Sequence, residues 1–300
     1  MALPYMKTVN IQENRVKIDN LNINYKIIGD GNIAIILLHG WGVSSDKYSV
    51  LAEYLSEVKS EKLKVKSYRI YLLDLPGFGK SDNPPKSWGV DEYAEFVKDF
   101  TDVRLGGLAS KSDLEARPPS KWQENKRVIL IGHSFGGQIA IKFAAKYPEQ
   151  LKALILTGAA GIKHSPTLKL KIFYILAKTG KIIFSLPLIN KLEKPAQKLL
   201  YKTAREKDYY HAQGIMKEVF KKVVGEDLSG YLDKIKTPTL LIWGKNDKST
   251  PLADGEIMKL KIENCDLKIL DDANHQAPYQ YPEKFAKIAA EFIKKGRAII

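Results

Sequence analysis

The sequence predicts an α/β protein built on a mostly parallel, doubly wound sheet. Two observations carry this prediction: short apolar, β-branched runs recur along the chain, and amphipathic helical stretches fall between them. Strands that helices cover on both faces are apolar throughout, and strands that alternate with helices form parallel sheets. A third observation, 44% hydrophobic residues in a chain of 300, indicates enough apolar material for a large core.

The individual elements follow from these runs. An antiparallel start with a turn near Asn20 is predicted from three runs near the amino terminus: Lys7–Ile11, Arg15–Ile18 and Ile23–Ile28. Six later runs predict the strands of the main sheet: Ala34–Leu38, Arg69–Leu73, Val128–Ile131, Ala153–Thr157, Thr239–Trp243 and Leu267–Leu270. Four stretches predict helices: Tyr48–Glu57, Val90–Val103, Gln138–Lys146 and Pro282–Lys295.

Two segments interrupt this alternation. Arg104–Arg127 contains glycines, a Pro-Pro pair and mixed charges without a period, so we expect a long surface loop. Gly161–Lys236 is amphipathic and basic and lies between two predicted strands of the sheet. We therefore expect a separate helical layer over the edge of the sheet.

The formal net charge is +14, from 48 basic and 34 acidic residues. Of the basic residues 41 are Lys and 7 are Arg, whereas recognition of phosphates and bases favours Arg. Gly161–Lys236 alone carries 16 basic and 7 acidic residues. We expect no nucleic-acid partner, and at most a weak contact between this segment and an anionic surface.

The cysteine content and the lengths of the apolar runs indicate the cellular compartment. A single cysteine, Cys265, cannot form an intramolecular disulfide. Met1–Asn10 lacks the apolar stretch of a secretory signal, and no run reaches the ~18 apolar residues of a spanning helix. These features favour a cytoplasmic protein without stable membrane insertion.

The strongest local motif is Gly132-His133-Ser134-Phe135-Gly136, between a predicted strand and a predicted helix. A serine on such a sharp turn needs glycines two residues before and after it, because a Cβ there would clash with the crowded backbone. The turn pushes the serine hydroxyl out at the top of the sheet. Ser134 is therefore the predicted nucleophile.

A serine hydroxyl attacks only when a histidine accepts its proton and a carboxylate orients that histidine. His275 follows the strand that ends at Leu270, and Asp247 follows the strand that ends at Trp243, so both lie at the edge of the sheet where Ser134 lies. Asp271 and Asp272 are too close to His275 in sequence to reach its far ring nitrogen. We predict His275 as the base and Asp247 as its orienting carboxylate.

Acyl transfer also needs N–H donors where the oxyanion develops. The backbone N–H groups of Phe135, after the nucleophile, and of Trp41, in the loop after an early strand, are the predicted donors. Residues that support the two loops are predicted to be His39, Gly40, Gly132 and Gly136.

These motifs, HGWG, DLPGFGKSD from Asp74 to Asp82, GHSFGG, WGKND and DDANH, together resemble the successive signatures of the α/β-hydrolase superfamily. The resemblance spans roughly Leu21 to Lys295 and implies an eight-stranded, mostly parallel sheet. It implies a core domain of residues 1–160 and 237–300 with residues 161–236 inserted as a helical cap. It also implies that Asp74 and Ser81 fix their own loop.

The resemblance makes acyl transfer to water the expected reaction, with small or medium carboxylic esters, including lactones, as the first choice of substrate and no cofactor. A serine nucleophile argues against epoxide and halide chemistry. Three alternatives stay open: an aminopeptidase of the proline iminopeptidase type, a C–C bond hydrolase, and a receptor-like relative with little turnover. The C–C option is weakened because Gln276–Tyr279 lacks the tryptophan common in such hydrolases.

Substrate choice is expected to depend on apolar residues of the cap and on the nucleophile loop. The candidate pocket residues are His133, Phe173, Phe184, Leu186 and Met216. No metal site is expected, and acyl length, alcohol group and oligomeric state stay open.

Overall fold

The structure, a computed structural model, describes residues 10–57, 68–105, 127–163 and 212–295. Its strands form one eight-stranded sheet in the order β1-β2-β4-β3-β5-β6-β7-β8. The strands are β1 (Ile11–Ile18), β2 (Leu21–Ile28), β3 (Ile33–Leu38), β4 (Tyr68–Leu73), β5 (Val128–His133), β6 (Leu151–Thr157), β7 (Thr239–Gly244) and β8 (Cys265–Leu270). The predicted α/β-hydrolase architecture is confirmed.

The sheet begins with a tight hairpin. β1 and β2 pair antiparallel up to Ile18 opposite Leu21, and the two residues between them, Asp19 and Asn20, have φ of 45° and 69°. Positive φ at both central residues is typical of the hairpin turn that matches strand twist, so the turn predicted near Asn20 is confirmed. β1 contains the predicted run Arg15–Ile18 and begins at Ile11, the last residue of the predicted run Lys7–Ile11. Residues 7–9 of that run lie outside the described residues.

The centre of the sheet is parallel and buried on both faces. β4, β3, β5, β6, β7 and β8 pair parallel in that order, and all six residues of β3 are buried. Alternate side chains of these strands point into two apolar clusters, one on each face. Burial on both sides explains the continuous apolar runs in the sequence.

Helices cover both faces. They are α1 (Ser49–Glu57), α2 (Val90–Leu105), α3 (Phe135–Lys146), α4 (Ile215–Gly225), α5 (Leu252–Lys261), α6 (Ala277–Gln280) and α7 (Pro282–Lys294). The four predicted helices correspond to α1, α2, α3 and α7, although Tyr48 ends a 3-10 turn before α1 and α3 begins three residues earlier than predicted. None of the helices in the described ranges is long and apolar enough to cross a membrane.

Helix α5 was not predicted. Its sequence, LADGEIMKLK, places Asp254 and Gly255 on the buried side, and this polar pair hides the apolar period on which the prediction depends. Gly255 lies against the ring of Trp243, since an added Cβ would be 3.0 Å from it. The large tryptophan therefore makes a small residue the better packing choice in the helix above it.

The predicted insertion lies between two neighbouring strands. β6 ends at Thr157, β7 begins at Thr239, and the described part of Gly161–Lys236 contains α4 and a 3-10 turn at Ser229–Lys234. Leu228 N–H donates to the Gly161 carbonyl at 2.8 Å, which joins the two ends of the insertion. Residues 164–211 of the insertion, and residues 106–126 of the predicted surface loop, lie outside the described residues.

The insertion is anchored to α3. The Gln138 side-chain amide donates to the Val223 carbonyl at 3.0 Å, and Lys142 forms ion pairs with Glu226 at 2.6 Å and Asp91 at 3.1 Å. The Lys142 side chain is only 1% exposed, and Tyr231 lies 3.9 Å below its ammonium group. Burial opposes charging of Lys142, but its bonds to Glu226, Tyr231 and Asp91 raise its pKa nonetheless.

Candidate active site

Ser134 occupies a one-residue turn between β5 and α3. Its φ of 53° and ψ of −113° lie in a backbone region that residues with a Cβ rarely adopt. Neighbouring backbone holds this conformation: Ser134 N–H donates to the Thr157 carbonyl at 3.1 Å, and the Ser134 carbonyl accepts from Gly137 and Ala160. The hydrogen bonds stabilise a strained conformation that presents the hydroxyl outward.

The glycines that flank Ser134 make the turn sterically feasible. A Cβ on Gly132 would lie 2.6 Å from the Gly136 carbonyl oxygen, and a Cβ on Gly136 would lie 2.3 Å from the Leu38 carbonyl oxygen. Both distances are far below van der Waals contact. The predicted requirement for glycine two residues to either side thus has a specific cause: β3, β5 and α3 converge here.

Ser134, His275 and Asp247 lie in one hydrogen-bonded row. His275 Nε2 is 3.0 Å from Ser134 Oγ, and His275 Nδ1 is 2.8 Å from Asp247 Oδ2. The carboxylate can only accept, so the network assigns a proton to Nδ1 and leaves Nε2 to accept from the Ser134 hydroxyl. The loops after β7 and β8 bring the three residues together, as the parallel sheet predicts.

Asp247 is held in place by its own loop. Its Oδ1 accepts the N–H groups of Ser249 at 2.8 Å and Thr250 at 2.9 Å, and its Oδ2 also accepts from the Thr250 hydroxyl at 2.9 Å. Burial works to raise the Asp247 pKa, but the bond and charge of His275 and the backbone donors outweigh it and lower the pKa below its usual value. Asp247 is therefore an anion opposite Nδ1.

The rival carboxylate, Asp271, points away from this row. It is exposed and pairs with Lys245 at 3.2 Å, and Asp272 is exposed as well.

Trp41 and Phe135, whose N–H groups are predicted to hold an oxyanion, both line the cleft in front of Ser134. Within the described part of the chain, neither Trp41 N–H nor Phe135 N–H donates to another protein atom. Gly136 N–H donates to the His39 carbonyl at 3.1 Å, which ties the two loops together. A Cβ on Gly40 would lie 3.3 Å from the Ser134 Cβ, so the Trp41 loop approaches the nucleophile as closely as glycine allows.

An aromatic cluster holds the Trp41 loop. The Trp41 ring packs at 4.9 Å against Phe78, 5.4 Å against Phe135 and 5.0 Å against Phe220, each in an edge-to-face arrangement. These contacts favour one orientation of the loop. Because Phe220 belongs to α4, the insertion contributes directly to the wall beside the donors.

His39 lies under the same loop. Its Nδ1 bonds the Gly40 carbonyl at 2.7 Å and its Nε2 accepts Leu75 N–H at 3.0 Å. Its burial lowers its pKa, so the ring is neutral and holds two loops together rather than facing the cleft.

Asp74 joins the loops after β4 and β3 in the same manner. Its carboxylate accepts the N–H groups of Ser45 at 2.8 Å and Lys80 at 3.0 Å, and the Ser81 hydroxyl donates to its carbonyl at 2.7 Å. Both residues therefore fix their own loop.

His133 was expected to border a substrate pocket, and its ring does lie at the edge of the cavity. It is nevertheless 3% exposed. Its Nδ1 is 2.6 Å from the Tyr48 hydroxyl and its Nε2 is 2.8 Å from the His275 carbonyl oxygen. Burial and the nearby His275 lower its pKa to about 3, so both polar atoms of a neutral ring are engaged within the protein.

A cavity of about 470 Å³ opens in front of Ser134. Its described wall combines aromatic, aliphatic, amide and hydroxyl groups, including Phe220, Val223, Gln138, Thr250 and Tyr279. A neighbouring cavity of about 920 Å³ shares Trp41, Gly42 and Val43 with it and is lined by Met216. Of the other predicted pocket residues, Phe173, Phe184 and Leu186 lie outside the described residues.

Metal binding has no support in the described ranges, where no three His, Cys, Asp or Glu side chains cluster in a way that could hold an ion.

Three residues at the site were not predicted from the sequence. Thr250 bonds Asp247, Tyr48 bonds His133, and Tyr279 packs its ring 5.7 Å from His133. The Asp-x-Ser-Thr pattern after β7 is typical of an Asp that caps its own turn and could have indicated Thr250. No local pattern singles out Tyr48, which reaches the site only through the fold.

Comparison with known proteins gives consistent matches. A family model described as serine aminopeptidase, S33, matches residues 30–279. The chain is 26% identical over 96% of its length to a 2-hydroxy-6-oxononadienedioate/2-hydroxy-6-oxononatrienedioate hydrolase of Burkholderia vietnamiensis, of which it covers 96%. It is 29% identical over 90% of its length to a pimeloyl-(acyl-carrier protein) methyl ester esterase of Wigglesworthia glossinidia brevipalpis, of which it covers 97%.

A similar solved structure is that of a membrane phospholipase A, a bacterial virulence factor. The two chains superpose with a TM-score of 0.68 and 26% identity, over 97% of this chain and 87% of the other.

Proposed function

We infer the function from one premise: the chain belongs to the serine aminopeptidase S33 family of α/β-hydrolases and is therefore a hydrolase. We propose that it cleaves carboxylic esters of small or medium size through an acyl-enzyme formed on Ser134. The observation that carries this proposal is the row from Ser134 Oγ through His275 to Asp247, with distances of 3.0 and 2.8 Å. The N–H groups of Trp41 and Phe135, which have no acceptor among the described residues, lie beside it.

The geometry supports a two-step reaction. As Ser134 Oγ forms a bond to the ester carbonyl carbon, its proton passes to His275 Nε2, and the oxyanion accepts from the N–H groups of Trp41 and Phe135. The tetrahedral intermediate then collapses, the C–O bond to the alcohol breaks, and His275 gives the alcohol its proton. Water attacks the acyl-enzyme with His275 again as base, which releases the acid and restores Ser134.

Asp247 supports both steps electrostatically. As an anion with a lowered pKa, it stabilises the imidazolium that forms when His275 takes the proton. It also keeps the other ring proton on Nδ1, so that Nε2 always faces Ser134.

The nature of the cavity wall supports an ester as substrate. The described wall around Ser134 contains no Asp, Glu, Lys or Arg and combines apolar with amide and hydroxyl groups, which suits an uncharged acyl or alkoxy group. A similar protein is named a methyl ester esterase and another a phospholipase A, and both names denote ester hydrolysis. The preferred acyl length and alcohol group are to be determined with a panel of esters.

The test is a panel of short-chain p-nitrophenyl esters and lactones with the purified protein. We expect steady-state turnover that Ser134→Ala abolishes without loss of the folded circular dichroism spectrum. Intact-mass spectrometry of quenched reactions should show one acyl group on the wild-type protein and none on the variant. Absence of turnover across the panel, or activity that survives in Ser134→Ala, would refute the proposal.

Two other hydrolytic activities have specific support. Hydrolysis of a C–C bond is favoured by the similarity to hydrolases named for 2-hydroxy-6-oxononadienedioate, although Gln276–Tyr279 has no tryptophan and the described wall is neutral. Aminopeptidase activity is favoured by the description of the family. When that dioate and aminoacyl arylamides are added to the panel, a higher kcat/KM for either than for any ester would replace ester cleavage as the function.

We also propose that residues 161–236 form a cap over the site. In support, α4 contributes Phe220 and Val223 to the cavity wall, and the insertion is bonded to α3 through Gln138 and Lys142.

A further inference from the structure

A buried chain of hydrogen bonds connects the two loops that serve Ser134. It starts at Gly40 N–H, which is 3.4 Å from the Tyr48 hydroxyl oxygen. The Tyr48 hydroxyl is 2.6 Å from His133 Nδ1, and His133 Nε2 is 2.8 Å from the His275 carbonyl oxygen. The chain therefore joins the residue before Trp41 to the backbone of His275 without passing through Ser134.

The direction of the donors in this chain is fixed by chemistry. The His275 carbonyl only accepts, so His133 carries its proton on Nε2. Nδ1 then has a lone pair, and the Tyr48 hydroxyl is its donor. The hydroxyl oxygen keeps a lone pair for Gly40 N–H. Each member thus depends on the next: the His275 carbonyl sets the His133 tautomer, and that tautomer makes the Tyr48 hydroxyl the donor to Nδ1.

This chain requires a neutral His133. An imidazolium would carry a proton on Nδ1 and could not accept from Tyr48. The groups that face the His133 ring are Tyr48, His275 and Tyr279, with ring centroids 6.0, 4.9 and 5.7 Å away, and the charge of Asp247 also acts on it. Burial keeps the ring neutral at ordinary pH, which its low pKa reflects.

We propose that Tyr48 is a positioning residue for the reaction. Through His133 it fixes the backbone of His275, and through Gly40 it sets the position of the Trp41 N–H donor relative to that histidine. The inference rests on the function proposed above, because it needs Ser134 as nucleophile and His275 as base. Loss of the hydroxyl would leave His133 Nδ1 without its donor, so the His133 ring would hold the His275 carbonyl less firmly. His275 Nε2 would then point less well at Ser134.

The main alternative is that Tyr48 only fills space. Its ring is 1% exposed and packs edge-on at 5.6 Å against Tyr279. Tyr48→Phe separates the two roles, because it keeps the ring and removes the donor. Tyr93→Phe is the matched control, because Tyr93 is equally buried and its hydroxyl donates one buried hydrogen bond, 2.9 Å to the Pro76 carbonyl, that lies outside the chain.

The first measurement is the rate at which a fluorophosphonate probe labels Ser134. This rate reports on nucleophile and base without requiring knowledge of the natural substrate. We expect Tyr48→Phe to label roughly 10- to 100-fold more slowly than wild type, whereas Tyr93→Phe labels at the wild-type rate. On any ester that the protein turns over, the loss should appear in kcat, with KM within about threefold of wild type.

His133 provides an independent check. His133→Leu should slow labelling as much as Tyr48→Phe, and the double variant should be no slower than either single one, since both break the same chain. His133→Gln retains an amide N–H toward the His275 carbonyl and should recover part of the rate. The proton NMR resonance of His275 Nδ1–H should broaden or shift in Tyr48→Phe and not in Tyr93→Phe.

The outcomes are separable. Wild-type labelling rates in Tyr48→Phe and His133→Leu would overturn the positioning role even if both variants melt at lower temperature. Labelling of wild type without turnover of any ester would refute the ester as substrate and leave the positioning role testable by the probe. A wild-type protein that the probe does not label at Ser134 would overturn both proposals.

Discussion

At the scale of single residues, the site depends on exact atomic placement around Ser134. Its positive φ is stabilised by bonds from β6 and α3, and its hydroxyl faces a histidine whose orientation is set at Nδ1 by Asp247 and at the backbone carbonyl by His133. The side chain and the main chain of His275 are therefore fixed by different partners. Removal of either partner, Asp247 or His133, should therefore lower the reaction rate strongly and the free energy of unfolding to a lesser degree.

Asp247→Asn should reduce kcat by about 10³- to 10⁴-fold. The amide cannot stabilise the imidazolium and can donate to Nδ1, which favours the wrong tautomer of His275. Steady-state ester assays measure the loss in kcat. Asp271→Asn is the control, because this exposed carboxylate pairs with Lys245 and should leave kcat unchanged; an equal loss there would refute the assignment of Asp247.

His133 should make stability depend on pH. Its pKa is about 3 in the folded protein against an ordinary 6.5, so between these values the unfolded chain binds more protons than the folded one. The free energy of unfolding should therefore fall as pH falls, by up to about 1.4 kcal/mol per pH unit from this group. His39, which also has a lowered pKa, adds to the same trend.

Urea unfolding of wild type and His133→Gln at a series of pH values isolates the contribution of His133. The two stability curves should converge as pH falls below about 6.5, because glutamine does not titrate. Parallel curves over this range would contradict the prediction.

At the scale of elements, the turn between β5 and α3 is where three elements meet. Gly132 and Gly136 permit backbone contacts that any side chain would prevent, whereas Gly225, at the end of α4, has no atom within 4 Å of its would-be Cβ. Of these three glycines, Gly132 and Gly136 are sterically required and Gly225 is not.

Gly136→Ala should destabilise the fold by more than about 2 kcal/mol, since its Cβ would meet the Leu38 carbonyl oxygen at 2.3 Å. Gly225→Ala, the control, should be neutral or slightly stabilising. Thermal or urea unfolding of the two variants measures the difference. A fully stable Gly136→Ala protein would show that α3 can shift away from β3 at little cost.

At the scale of the whole molecule, charge is distributed unevenly. The net charge is +14, whereas the described wall around Ser134 is neutral. We propose that the basic composition of Gly161–Lys236 supports a weak contact with an anionic surface.

We expect weak binding to vesicles that contain an anionic phospholipid, and none to vesicles of a neutral one. The contact would be electrostatic, so it should weaken steeply as salt is added and the Debye length shortens from ~10 Å at 0.1 M to ~3 Å at 1 M. Co-sedimentation at low and high salt measures it. Binding that resists high salt would indicate apolar insertion and contradict the prediction.

The local sequence predicted much of the architecture because its signals are themselves local. Continuous apolar runs identified the central strands, and alternation with helices identified a parallel sheet. Helix α5 was missed because Asp254 and Gly255 occupy its buried side. The predicted run Arg15–Ile18 starts later than β1 because the polar residues after Ile11 interrupt the apolar pattern.

The sequence by itself determined the candidate nucleophile, base and carboxylate. Each follows a recognisable strand, and the carboxyl ends of parallel strands meet at one edge. Only the tertiary structure decided how these residues are held: the bond of Thr250 to Asp247, the closeness of Phe220 to Trp41, and the chain from Tyr48 through His133 to His275. The physical reason is that a hydrogen bond between residues 85 or 142 positions apart depends on where the folded sheet and helices place their ends, and no local pattern records that.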